Sequence, residues 1–205
     1  MLTFNEENHE YRWFDKIVPS TTQIIREWIL VDDMYVNRFH PEKRIAKSAM
    51  QSGGDRGTGV HKAIDIILTS DLDWDALDPS LVPPLREFQR WQRETKAEFV
   101  GLGEPMYSEK YGYAGTPDPW FRIKTPFKWV LFCVDLKTGG HDLVGPQTAA
   151  YEQLYREKHN YKGVMLRACL YLPAEGPYKF IPLTNRNDWR FFQSCLDQRN
   201  YLNAR

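Results

Sequence analysis

Two carboxylates are spaced along this chain so that they can hold a hard metal cation, and a lysine stands two positions from one of them. Asp118 ends the run Tyr113-Ala-Gly-Thr-Pro-Asp118, where a glycine and neighbouring prolines bend the backbone and let the carboxylate leave a strand edge. Seventeen positions later, Asp135 and Lys137 flank Leu136 in Val130-Leu-Phe-Cys-Val-Asp135-Leu-Lys137-Thr-Gly-Gly. Strand side chains alternate with period two, so Asp135 and Lys137 share one face at the end of an apolar strand. Charges in that position are expensive to bury. A divalent cation compensates them. Two carboxylates and the Leu136 carbonyl offer oxygen ligands of the kind Mg²⁺ takes at about 2.0 to 2.1 Å, with positions left for water and phosphate. The chemistry this suits is phosphodiester hydrolysis, with the metal acidifying the attacking water. Lys137 orients the nucleophile or stabilises the charged transition state, and no covalent intermediate is needed.

The elements that must position these residues follow from periodicity. Tyr11-Arg-Trp-Phe, Asp15-Lys16 and Ile17-Val18 read as a short hairpin, and Pro19-Ser20-Thr21 as the capped entry of a helix through Trp28 and Ile29. Glu42 to Met50 reads as helical, with Gly53-Gly54 breaking it before a stronger helix from Thr58 to Leu68. In that helix Val60, Ala63, Ile64, Ile67 and Leu68 form one apolar face. Asp71 to Pro84 is an acidic, Pro-rich loop, after which Leu85, Phe88, Trp91 and Phe99 mark a helix and its exit. Met106 to Lys110, Ala114 to Ile123 and Trp129 to Leu136 are predicted strands. A helix opened by Pro146 puts Gln147, Tyr151, Leu154 and Tyr155 on one face. Strands at Val164 to Leu172 and Tyr178 to Ile181 and a helix from Asp188 to Leu202 close the chain. The order predicts an α/β or α+β fold, a mixed sheet flanked by helices. Its 205 residues suit a single domain, with residues 1–40 as an N-terminal hairpin and helix appended to it.

Composition bounds the partners. Hydrophobic residues make up 42% and aromatics 14%, the mix of a packed protein rather than a disordered one. Lys plus Arg and Asp plus Glu number 27 each, so there is no global basic field, and any nucleic-acid surface must be local. Cys133, Cys169 and Cys195 are odd in number and form no C-x-x-C pair, which supports neither a disulfide framework nor a zinc site. No apolar leader and no run of 18 apolar residues is present, so a cytoplasmic protein without a membrane partner is expected.

Taken together, Pro117-Asp118 and Asp135-Leu136-Lys137 resemble the signature of the PD-(D/E)XK nucleases. Gly57-Thr58-Gly59-Val60-His61 resembles the G-T-x-x-H motif of their RecB-like branch, and Gln147-Thr-Ala-Ala-Tyr151 the Q-x-x-x-Y motif that follows there. Val18-Pro-Ser-Thr-Thr-Gln is similar to the entry segment of phage-type members, so the likeness spans nearly the whole chain. The resemblance implies a restriction-endonuclease-like core that cuts DNA with Mg²⁺ or Mn²⁺. It further implies that His61, Asp118 and Asp135 bind metal, that Lys137 is catalytic, and that Gln147 and Tyr151 support the site or the DNA strand. Some relatives hold an iron–sulfur cluster on four cysteines, which three cysteines cannot supply.

The phage-type pattern implies an exonuclease of recombination, replication or DNA processing, working in a host cytoplasm beside a phage recombination or replication protein. A structure-selective or nicking endonuclease is the alternative within the class, and a non-cleaving DNA-binding or interaction protein the alternative outside it. Residue by residue, plainer readings stand beside these. His61 lies next to the apolar stripe of its helix, Gln147 and Tyr151 at i and i+4 make an ordinary helix-face pair, and Glu104 reads as a loop acid near the metals or as a solvated one. Arg56, Lys62, Lys128 and Lys158 are the cations available to phosphates.

Overall fold

The computed structural model describes residues 1–25, 47–139 and 143–204, with backbone alone for 47–56. Three short strands come first: β1 (Leu2–Asn5), β2 (Glu10–Trp13) and β3 (Lys16–Val18), an antiparallel meander in the order β1-β2-β3. The expected hairpin is its second half; β1, a four-residue alternation, was too short to read from sequence. Ser20 then closes a capping box, its hydroxyl accepting from the Gln23 amide at 3.1 Å while the Gln23 side chain accepts from the Ser20 amide at 2.9 Å. The chain is helical from Thr21 to Ile25. The predicted continuation to Trp28 and Ile29, and the Glu42 to Ala46 part of the next predicted helix, lie outside the described residues.

Helix α1 (Lys47–Thr69) runs unbroken through Gly53 and Gly54, where a break was expected. Each glycine in a helix interior costs about 1 kcal/mol relative to alanine. Burial of Val60 and Ile64, both fully inaccessible, with Ala63 and the partly covered Ile67 and Leu68, offsets that cost at roughly 1.5 to 3 kcal/mol per large side chain. Within the acidic stretch a 3₁₀ turn (Pro79–Leu81), capped by Asp78, leads directly into α2 (Val82–Thr95), so Pro83 and Pro84 occupy a first helical turn and not a loop. Lys96, at φ 52°, ends α2 in the left-handed region and turns the chain into β4 (Glu98–Gly101). Phe99 therefore belongs to a strand; no glycine marks the reversal, which is why sequence reading placed it at a helix exit.

The predicted strand Ala114 to Ile123 is two strands in different sheets. β5 (Met106–Ser108) and β6 (Tyr113–Gly115) form a hairpin, and β7 (Trp120–Lys124) enters the main sheet. Pro117 and Pro119 have no amide hydrogen to give a ladder, so Thr116 to Pro119 leaves both sheets. The main sheet has the order β10-β9-β8-β7-β4 and adds β8 (Trp129–Lys137), β9 (Met165–Tyr171) and β10 (Lys179–Pro182). β8 runs parallel to β9, with α3 (Val144–Lys158) as the crossover, and the other pairings are antiparallel. α4 (Asp188–Asn203) completes the chain.

Helices cover both faces of this mixed sheet. Val130, Phe132, Val134 and Leu136 of β8 pack in one cluster with Val60 and Ile64 of α1 and Leu85, Phe88 and Trp91 of α2. Leu131 and Cys133 pack in the other with Ala150 and Leu154 of α3 and Phe192 and Leu196 of α4. Burial on both sides explains why β8 reads as an uninterrupted apolar run. A third, smaller cluster of Tyr11, Val18 and Ala114 fixes the meander to β6, helped by the Ala114 amide donating to the Pro19 carbonyl at 2.9 Å. Among the described residues no helix is long and apolar enough to cross a membrane.

Candidate active site

His61, Asp118, Asp135 and Lys137 converge at the carboxyl end of β8. Asp135 follows Leu131 and Cys133 on the α3 face and is 2% exposed; Lys137 follows it and contacts its Oδ2 through Nζ. Asp118 approaches from the loop between β6 and β7. Its Oδ2 accepts from the Leu136 amide at 2.7 Å, so the backbone between Asp135 and Lys137 holds the second carboxylate. His61 comes from α1, on the opposite side of the sheet, and reaches the strand end edge-on. Its Nδ1 lies 3.0 Å from Asp118 Oδ1 and its Nε2 3.1 Å from the Leu136 carbonyl oxygen. Both ring nitrogens thus face acceptors, which only the imidazolium satisfies at once.

The charges interlock. The Asp118 carboxylate pushes the His61 pKa up to about 9, against the opposing effect of burial. Burial pushes Asp118 upward, but His61, Lys137 and the Leu136 amide outweigh it, and its carboxyl titrates below the ordinary range. Burial dominates at Asp135, with help from the Asp118 charge and against Lys137, and raises its pKa to about 6. Burial works against the Lys137 ammonium, yet the two carboxylates more than compensate and keep it charged. In this arrangement an imidazolium bridges two oxygens, Asp118 Oδ1 and the Leu136 carbonyl, whose hardness also suits a divalent cation. No three described His, Cys, Asp or Glu side chains form a ready-made ligand cluster. The donor chemistry nevertheless fits Mg²⁺ or Mn²⁺, because Asp118, Asp135 and the Leu136 carbonyl supply hard oxygens and His61 an imidazole.

A pH dependence follows. Because its folded pKa lies above the ordinary 6.5, His61 contributes stability that is complete below about pH 6.5 and is lost as the pH rises through about 9. Asp135, raised to about 6, favours folding only while protonated, and that contribution is gone before this window opens. In EDTA, the urea midpoint of the protein is expected to fall between pH 6.5 and 9, and His61→Gln to flatten the fall. An equal slope in the variant would show that His61 does not carry it.

Gln147 and Tyr151 are both buried on α3, and the Gln147 amide donates to the Tyr151 hydroxyl at 3.1 Å. This leaves the phenolic hydrogen to point elsewhere. Tyr151 lines, with His61 and Asp118, an open cleft of about 640 Å³ between the meander and the sheet end. Asp135 and Lys137 do not line it. Glu104 is not part of the site: it is half exposed and pairs with Lys158 at 2.8 Å and His159 at 3.5 Å. Lys62 lines the cleft and pairs with Glu6 at 3.1 Å, while the Arg56 side chain lies outside the described residues.

Three contributors escaped sequence reading. Asp65 lines the cleft one turn after His61, and burial with the nearby Asp118 raises its pKa; the i, i+4 spacing was the available signal. Tyr11 and Thr116 share a 2.7 Å hydroxyl hydrogen bond that ties the meander to the Asp118 loop. Gly103 lies against that loop so closely that a Cβ would stand 1.6 Å from the Pro117 carbonyl oxygen. Neither of the last two has a local sequence signal, since each depends on a contact between distant segments. The chain matches no protein-family model, and comparison with curated proteins returns no match.

Proposed function

We propose that this chain is a metal-dependent DNA nuclease of PD-(D/E)XK type, with a restriction-endonuclease-like core, and that it acts as a phage-type exonuclease. The observation that carries the reading is the convergence of His61, Asp118, Asp135 and Lys137, from three separated segments, on the backbone of Leu136. A bound Mg²⁺ or Mn²⁺ supplies charge neutralisation at the scissile phosphate and a more acidic attacking water. Asp118, Asp135 and the Leu136 carbonyl would hold the cation, and His61, as the neutral imidazole with its proton released to solvent, would join them. Lys137, kept as an ammonium by the carboxylates, places positive charge where the phosphate develops negative charge. Tyr151, its oxygen occupied by Gln147, keeps its hydroxyl hydrogen for a phosphate oxygen or water in the cleft. The host cytoplasm, and a phage recombination or replication protein as partner, belong to the same proposal.

The test is purified protein with Mg²⁺ or Mn²⁺ on end-labelled linear and covalently closed circular DNA, each single- and double-stranded. Cleavage of linear DNA alone, abolished by EDTA and restored by either metal, is the expected outcome. Ca²⁺ is expected to permit DNA binding with little hydrolysis, since its looser coordination positions water and phosphate poorly. Cutting of closed circles indicates an endonuclease instead, and full activity in excess EDTA removes the mechanism.

A further inference from the structure

At the opposite end of β8 from the acids, the turn Thr125-Pro-Phe-Lys128 displays two aromatic rings. Phe127 is 94% exposed and Trp129 41%. The turn is rigid. The Thr125 amide and hydroxyl both donate to the Lys128 carbonyl, at 2.9 and 2.8 Å, and the Thr125 hydroxyl accepts from the Lys128 amide at 3.2 Å. Pro126 fixes its own φ.

Lysines surround the rings. Lys124 and Lys128 flank the turn, and Lys96 enters at the same end because β4 runs antiparallel to β7. Lys162 precedes β9, whose Met165 pairs with Leu131, and so arrives at this end too, beside the half-exposed Val164 and Leu166. None of these four lysines forms an ion pair among the described residues, whereas Lys62, Lys137 and Lys158 all do. Glu98, two residues after Lys96, is bound to Arg122 at 3.0 Å. In a chain of zero net charge this is a local excess of uncompensated positive charge.

We infer that this end of the sheet is a platform for single-stranded nucleic acid, on which bases stack on Phe127 and Trp129 while Lys96, Lys124, Lys128 and Lys162 meet the phosphates. Planar rings beside unpaired cations complement a polyanion of planar bases, and stacking tolerates any sequence. The inference rests on the nuclease reading only in choosing nucleic acid as the occupant. Asp135 lies six steps along the strand from Trp129, which at about 3.3 Å each is about 20 Å. Helices cover both faces of β8, so a strand has to pass around them and needs more nucleotides than the straight distance takes, about six at about 3.4 Å each. The platform therefore holds a strand well away from the bond being cut.

The experiment is fluorescence anisotropy of labelled oligothymidylate of about 20 nucleotides, in EDTA so that no cation engages the acids. Phe127→Ala is expected to weaken binding by about tenfold. The pair Lys124→Glu with Lys128→Glu is expected to weaken it further and to flatten its salt dependence. Thermal melting of each variant is the check on folding, and a melting temperature close to that of the wild type is expected for these exposed positions. Unchanged affinity in both variants overturns the platform. So does variant-sensitive binding to phosphatidylserine–phosphatidylcholine vesicles with no change toward the oligonucleotide, which marks the tip as a lipid contact. The nuclease reading is judged separately. Wild-type protein that binds through the tip but cuts nothing in Mg²⁺ or Mn²⁺ loses that reading and keeps the platform.

Discussion

Lys137→Ala is expected to slow single-turnover cleavage by about 10² or more, the usual consequence of losing one positioned electrostatic group. The ammonium touches Asp135 and is held in its charged form by both carboxylates, so it offers no lone pair to a cation. Its contribution is then to the reacting phosphate or water, and metal binding survives its loss. DNA affinity measured in Ca²⁺ should change little. Asp135→Asn makes the contrast, because it removes a buried ligand charge and should weaken both the calcium-supported binding and the cleavage. Near-wild-type cleavage by Lys137→Ala would reduce the Asp135–Lys137 contact to a structural ion pair, and the proposed chemistry would fall with it.

Gly103→Ala carries the second large effect, and it works through the backbone. A methyl group 1.6 Å from the Pro117 carbonyl oxygen and 2.7 Å from its carbon cannot be accommodated by turning a side chain, because the obstacle is main chain. Overpacking of this kind costs about 1 to 3 kcal/mol, and more where the neighbour cannot yield. Pro117 is followed by Asp118 and anchored on the other side through Thr116 to Tyr11, so any relief moves the carboxylate. A loss of about 3 kcal/mol in urea unfolding is expected, together with weakened metal binding in whatever protein remains folded. Gly101→Ala is the matched control two residues away. Nothing lies within 4 Å of a Cβ there, and a change within about 0.5 kcal/mol is expected. If Gly103→Ala matches that control in both measurements, the Asp118 loop is not pinned as described.

Which parts of this could be read from the chain itself has a physical pattern. β8 was legible because burial on both faces leaves an apolar run, and α3 and α4 because their apolar positions recur with helical period. Asp135, Lys137, Gln147 and Tyr151 came with those elements, since alternation and i, i+4 spacing fix who shares a face. Asp118 was legible in identity and misread in setting: aromatic and β-branched residues on both sides suggested one strand, and two prolines make it a loop between sheets. Lys96 hid β4 by reversing the chain without a glycine. The glycines at 53 and 54 suggested a helix end that packing further along α1 overrides. Gly103 and the Tyr11 to Thr116 link are visible only in three dimensions, because each joins residues far apart in the chain.

The two outer strands of the main sheet bear on how this molecule meets copies of itself. β10 spans only Lys179–Pro182, with a lysine at one end and, at the other, a proline that has no amide hydrogen to offer. β4 is equally short, and its pairing with β7 slips between Phe99 and Gly101. An open edge recruits a neighbouring strand when it is long, flat and able to donate along its length. Neither edge meets those conditions. Continuous growth of the main sheet from one chain into the next is therefore disfavoured at both of its sides.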